Sequence, residues 1–250
     1  MLGACAAIAA GCGSDDGGGG GSASTRLVVS AAASMKEALT ACAPQFDKAD
    51  DASVKLSFAG SDELAAQIRQ GAKVDVYAAA NTKLPDQLHT DGRIDTPVKF
   101  ATNELVLAVR GDSRIDSIDD LTKSGTKLVI GSASVPIGSY TRETLAKLPP
   151  DQKKAILANA RSNEPDVKGI VGKLAQGAAD AGFVYVTDVN ATKGKVKAIK
   201  LPKQLEPQVT YGAGVVSKAA QPGLAKKFVD GLTQGDCADA LRKAGFGPVP

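Results

Sequence analysis

The chain has 250 residues, 43% of them hydrophobic, which is material for one large or two modest α/β domains with sizeable cores. Its formal charge of +3 is small for that length and its lysines are interspersed with acids, so the basic footprint of a nucleic-acid-binding protein is missing. Aromatic residues make up 4% and tryptophan is absent, which argues against both a base-stacking platform and a sugar-stacking surface.

Residues 1–24 stand apart from the rest of the chain. Met1 to Gly11 is an Ala, Gly, Leu and Ile stretch too short to span a bilayer, and it ends in Ala9-Ala10-Gly11-Cys12. That tetrapeptide resembles a bacterial lipoprotein cleavage site, in which Cys12 becomes the lipidated first residue of the mature chain. Leu2-Gly3-Ala4-Cys5 is a rival box, but cleavage there would leave an apolar stub. No basic segment precedes the apolar run, as expected if translation starts further upstream. The glycine and serine tract up to Ser24 reads as a flexible tether. The expected location is therefore extracytoplasmic, with the chain tied by lipid alone to the outer face of the cell membrane. With Cys5 removed and Cys12 lipidated, Cys42 and Cys237 remain, either bridged in an oxidising compartment or as two buried thiols.

From Thr25 onward strands and helices alternate. Residues 27–30 read as a strand, and Met35, Ala38, Leu39, Cys42 and Phe46 mark one face of a helix that Pro44 should kink or shorten. A strand at 54–58, a helix at 62–70 stopped by Gly71, a strand at 74–78 and a helix at 83–90 come next, with His89, the single histidine, in a polar surface turn. After them come a hydrophobic strand at 104–109, a helix at 118–123, a strand at 127–130 and helices at 140–148 and 167–176. Strands at 181–186, 196–201 and 211–216 precede helices at 222–233 and 236–244. This alternation predicts α/β architecture with parallel strands flanked by helices, in two blocks with a cleft between them. Ligands in such sheets sit beyond the carboxyl ends of the strands.

Four strand-to-helix junctions fall at such ends, each with small or hydroxylated residues or a capping acid. In Ala31-Ala32-Ala33-Ser34-Met35-Lys36-Glu37 the serine and the glutamate three residues on fit a capping box. Gly60 permits close backbone approach and Ser61 takes the cap position before Asp62-Glu63-Leu64. The third is the loop Gly131 to Tyr140, and the fourth is Asp166-Val167-Lys168. Free first-turn N–H groups and the positive end of the helix dipole make each a place for an anion, although a plain cap is the commoner use of such a junction. Glu37, Asp62, Glu63 and Asp166 lie at the same helix starts and would oppose an anion, so their carboxylates are expected to point to solvent.

Ala31-Ala32-Ala33-Ser34, Phe58-Ala59-Gly60-Ser61-Asp62-Glu63-Leu64-Ala65-Ala66-Gln67-Ile68, Gly71 to Asn81, Val135-Pro136-Ile137-Gly138-Ser139-Tyr140 and Ala179-Asp180-Ala181-Gly182-Phe183-Val184-Tyr185 together resemble the molybdate-binding proteins of bacterial ABC transporters. The likeness runs from Leu27 to Phe246 with the motifs in family order. It implies a type II periplasmic-binding-protein fold: two mixed sheets flanked by helices, a ligand cleft at the hinge, lobe I from 25–104 plus 212–250 and lobe II from 105–211. It also implies a monomeric solute-binding protein with no cofactor, which hands molybdate or tungstate to a membrane permease. Carried over by position, the oxyanion ligands are Ser34 and Ser61 through hydroxyl and backbone N–H, Ile137 and Val167 through backbone N–H, and Tyr185 through its phenol. The metal centre is held as the oxyanion, without direct protein–metal bonds. Ile137 stands where the family has Ala, and Pro165 also departs from the family pattern.

Without the resemblance Tyr185 reads as a core tyrosine, and Tyr77, Tyr140 and Tyr211 read as packing residues. A donor set of hydroxyls and amides suits a dianion through charge-assisted hydrogen bonds. The nearest alternative is a receptor for sulfate or another tetrahedral oxyanion. An enzyme on the same fold is less favoured, because Ser34 has no evident base, no metal-ligand cluster occurs and no nucleophile-elbow motif is present. A transcription regulator would need a basic helix-turn-helix arm where the glycine tract stands.

Overall fold

A computed structural model describes residues 24–250. Cys5, Cys12 and residues 1–23 lie outside the described residues. The first half runs β1 (Thr25–Ala32), a short 3-10 turn (Ala33–Met35), α1 (Lys36–Asp50), β2 (Ala52–Ala59), α2 (Ser61–Arg69), β3 (Val76–Ala79), α3 (Lys83–Thr90), β4 (Val98–Asn103) and β5 (Leu105–Arg110). A 3-10 turn (Asp119–Thr122) then leads to β6 (Leu128–Gly131), α4 (Pro136–Ala146), α5 (Pro150–Ala158), β7 (Ala160–Glu164), α6 (Val167–Ala175) and β8 (Ala181–Tyr185). The chain finishes with α7 (Val186–Asn190), β9 (Val196–Lys200), β10 (Val209–Val215), α8 (Pro222–Gly231) and α9 (Asp236–Ala244).

The strands form two five-stranded sheets, ordered β2-β1-β3-β10-β4 and β7-β6-β8-β5-β9. β1 is parallel to β2 and β3, and β6 is parallel to β7 and β8, because a helix returns the chain between each such pair. The parallel pairing read from the alternation of strands and helices fails at β5 and β10, where the mixed sheets implied by the family resemblance are found instead. These strands enter one sheet directly from the other with no intervening α-helix to reverse the chain, and each lies antiparallel to both its neighbours. Both sheets are therefore mixed. β5 reaches its sheet one residue after β4 ends, and Leu105 to Val109 are buried throughout.

Pro44 does not end α1 at its position, since the helix continues to Asp50. Its ring is exposed, so the carbonyl that loses its N–H partner has access to water. The helix expected at 118–123 tightens to the 3-10 turn, and the one expected from 140 begins at Pro136, where a proline costs no hydrogen bond. β4, α5, β7 and α7 carry too little periodic pattern to be read from sequence. β7 is a polar edge strand in which exposed and half-buried residues alternate. His89 lies in the last turn of α3 and is exposed, with Nδ1 3.1 Å from the Ile94 carbonyl. No helix among the described residues is long and apolar enough to cross a membrane.

Cys42 of α1 and Cys237 of α9 are joined as a disulfide with Cα atoms 4.9 Å apart, across 195 residues of sequence. A cross-link closing so long a loop removes much denatured-state freedom, worth roughly 3–5 kcal/mol. Reduction, or Cys237→Ser, should lower the melting temperature by about 10 °C, measured by calorimetry with and without reductant.

Candidate oxyanion-binding site

The carboxyl ends of β1, β2 and β3 in one sheet and of β6, β7 and β8 in the other meet at a single cavity of about 20 Å³. That is small against the roughly 300–1,000 Å³ of sites for drug-sized molecules, and it suits a single ion. Ser34, Ser61, Ile137, Val167 and Tyr185, expected together from the sequence, all line it. No lysine or arginine does. The remaining walls are mostly small or apolar, among them Ala32, Ala59, Ala80 and Val135.

Three of the five residues sit in the first turn of a helix: Ser61 opens α2, Ile137 follows Pro136 in α4, and Val167 opens α6. First-turn amides have no intrahelical acceptor, so their N–H groups remain for a ligand. Asp166 caps α6 as its sequence suggested, its Oδ1 accepting from Gly169 N at 3.0 Å. The capping box at Ser34 does not form. Ser34 lies inside the 3-10 turn, where its hydroxyl meets Tyr211 Oη at 2.9 Å, and Glu37 turns elsewhere. Ser61 is likewise not the cap of α2, a place taken by Gly60. Its Oγ instead accepts from Ala80 N at 3.1 Å.

These contacts let both serine hydrogens point into the cavity. Asn103 Nδ2 donates to Tyr211 Oη at 3.2 Å, an arrangement in which the phenol hydrogen can go to Ser34 Oγ and leave the Ser34 hydrogen for a ligand. Ser61 Oγ accepts from Ala80 N and keeps its own hydrogen to give. Tyr185 Oη is buried and has no partner among the described residues. Burial pushes its pKa well above the ordinary value, so it is a phenol and a donor. Tyr211 is raised for the same reason, against the lowering effect of Ser34 and Asn103.

Tyr77 and Tyr211, read from sequence as packing residues, both support the site. Tyr77 Oη donates to the Ser61 carbonyl at 2.7 Å, and Tyr211 backs Ser34. Tyr140 does pack, edge-on to Tyr185 with centroids 6.5 Å apart, and burial pushes its pKa up to about 12. Tyr211 lies 177 residues from Ser34 and Asn103 lies 108 from Tyr211, and no local pattern marks either. Gly60 is required by packing between the two sheets: a Cβ there would collide with the Pro165 carbonyl and sit 3.4 Å from Val135 Cγ1.

Residues 27–247 match the family of bacterial extracellular solute-binding proteins. The molybdate-binding protein ModA of Mycobacterium tuberculosis is 35% identical over 218 residues, covering 86% of this chain and 81% of that protein. This chain is a bacterial extracellular solute-binding protein of the ModA family. The periplasmic molybdate-binding protein of Azotobacter vinelandii superposes with a TM-score of 0.79 at 21% identity, covering 90% of this chain and 99% of that one. The sulfate-binding protein SubI of M. tuberculosis superposes at 0.78 and 17% identity, covering 90% and 87%. Likeness to those two structures is likeness of fold.

In this solute-binding protein the four helix-start carboxylates do not all face solvent as expected. Glu63 does, accepting from Gln67 Nε2 at 3.1 Å, and Asp166 is engaged by its own helix. Glu37 is half exposed but reaches Lys168 Nζ at 2.7 Å. Asp62 Oδ1 is buried without a partner among the described residues, close against Gly60. A fifth carboxylate, Asp188 of α7, carries no signal in the sequence. Its side chain is wholly buried, Lys168 Nζ lies 2.9 Å from Oδ1, and neither oxygen receives a hydrogen bond of good geometry.

Burial raises the Asp188 pKa to about 6, against the lowering effect of Lys168. A carboxyl raised on folding stabilises fully below its unfolded pKa, near 4, and loses that contribution as pH climbs through about 6. Asp188→Asn should therefore flatten the fall in melting temperature between pH 4 and pH 7, measured by thermal denaturation across that range.

Proposed function

We propose that this protein captures molybdate, or its near-isostere tungstate, in the cavity between its two sheets and delivers it to the permease of an ABC transporter. The observation that carries the reading is the donor set. Two serine hydroxyls backed by hydrogen-bond partners, a buried tyrosine hydroxyl without a partner among the described residues and first-turn amides from both sheets converge on one small cavity that no cationic side chain lines. Such donors hold a dianion through charge-assisted hydrogen bonds of about 1.5–3 kcal/mol each. Several of them reach the roughly 8–12 kcal/mol of micromolar to nanomolar binding after the cost of closure. A protonated oxyanion such as hydrogen phosphate brings an O–H that needs an acceptor. The one carboxylate lining the cavity, Asp166, has Oδ1 engaged in its cap. Sulfate carries no such proton and is rejected by size. The 35% identity with a molybdate-binding ModA favours molybdate over sulfate.

In this reading lobe I comprises 25–104 plus 212–250 and lobe II comprises 105–211. The second boundary falls inside β10, whose pairing with β3 and β4 assigns that strand to the first sheet. The protein works as a monomer outside the cytoplasm, held to the membrane by lipid on Cys12.

Molybdate and tungstate should each raise the melting temperature by several degrees at concentrations where sulfate and phosphate leave it unchanged. A shift with sulfate alone would replace the ligand assignment. Ser34→Ala and Ser61→Ala should each weaken molybdate binding by about ten- to a hundredfold in calorimetric titration. Gly60→Ala should weaken it by roughly tenfold or more, because the added methyl keeps Pro165 and Val135 from closing on the α2 start. Wild-type affinity in all three variants would refute the site.

A further inference from the structure

Lys168 directly succeeds Val167, and its ammonium is gripped from both halves of the molecule. Asp188 Oδ1, 2.9 Å away, belongs to α7, which continues from β8 of the second sheet. Glu37 Oε2, 2.7 Å away, belongs to α1, which packs on β2 of the first sheet. One ion pair is thus internal to its half, and the other crosses between halves.

We infer that Lys168 is a positioning residue for ligand capture: Asp188 anchors its ammonium to the second half, and Glu37 receives it when the halves meet over the oxyanion. The inference rests on the capture reading above. Asp188 is buried and stays beside Lys168 whatever the two halves do, so the ammonium is held ready. Glu37 is about half exposed and ends on a flexible side chain, as suits a contact that forms and breaks. The pairing also quenches a cation one residue from the Val167 amide. A bare ammonium there would attract every anion alike and blunt the selectivity of the neutral donors.

Two physical effects give opposite signs, which makes the role testable. If Glu37 acted only through its charge, Glu37→Gln would relieve repulsion and tighten the binding of a dianion. As a latch, its loss loosens the closed state. For a partly exposed pair the loosening is about two- to fivefold.

The test is stopped-flow and calorimetric measurement of molybdate, tungstate and sulfate binding to the full chain, to Glu37→Gln, to Lys168→Met and to the double variant. Glu63→Gln, whose carboxylate bonds within its own helix, is the control. Glu37→Gln should raise the molybdate dissociation constant about two- to fivefold through faster dissociation, with less dependence on salt. The double variant should bind no worse than the weaker single variant, and Glu63→Gln should bind as tightly as wild type or more so. Unchanged or tighter binding by Glu37→Gln, or single-variant effects that multiply in the double, overturns the latch while capture stands. Failure of the wild-type protein to bind any of the three ions overturns the capture reading and the latch with it.

Discussion

The site depends on hydroxyl groups whose acceptor sides are occupied from behind. A serine in water turns its hydrogen anywhere. Ser61, accepting from a main-chain amide, and Ser34, backed by a phenol that itself accepts from Asn103, are held so that their hydrogens can serve the cavity. Each bond in the Asn103–Tyr211–Ser34 series polarises the next, and the apolar walls keep the local dielectric low. Orientation therefore does the work that a lysine or arginine would do elsewhere. It does so with a preference that a fixed cation lacks, because every hydrogen must find a lone pair.

The two sheets exist, for this purpose, to bring helix starts to one point. Parallel strands end on the same side, so β1, β2 and β3 deliver three junctions to the cavity from one half, while β6, β7 and β8 deliver three from the other. Small residues set how near the backbones come. Gly138 is pressed so closely to the Gly131 and Ser132 carbonyls that a side chain has no room, which seats α4 against the end of β6. Gly60 has the same part between the halves. Side-chain bulk is excluded where main-chain amides must reach a ligand.

Much of this was legible in the sequence because it is local. Strand, small residues and helix recur as contiguous patterns, which marked the four junctions as anion sites; the resemblance to the molybdate-binding family named the five ligand candidates, Tyr185 among them, and all five line one cavity. What was not legible is what arises between distant segments. Tyr211 reads as a core tyrosine in an apolar strand, and only the pairing of β10 beside β3 brings it to Ser34. Glu37 fits a capping box three residues after Ser34, yet its partner lies 131 residues away on another helix. Local grammar chose the nearest acceptable bond, and tertiary packing supplied a better one. Pro44 and the polar strand β7 show the same limit, since propensity alone cannot say which face of an element meets water.

Asn103 closes the first passage between the sheets, the last residue of β4 before Glu104 and β5. Its amide donates both to Tyr211 of β10 and to Thr187 of α7, one hydroxyl from each half. Asn103 and Tyr211 sit on neighbouring strands of the first sheet, so the bond that backs Ser34 is internal to that half, and only the Thr187 bond crosses to the other. The support behind the serine is thus built into one rigid sheet, and the same amide ties that sheet to its neighbour at the point where the chain passes between them.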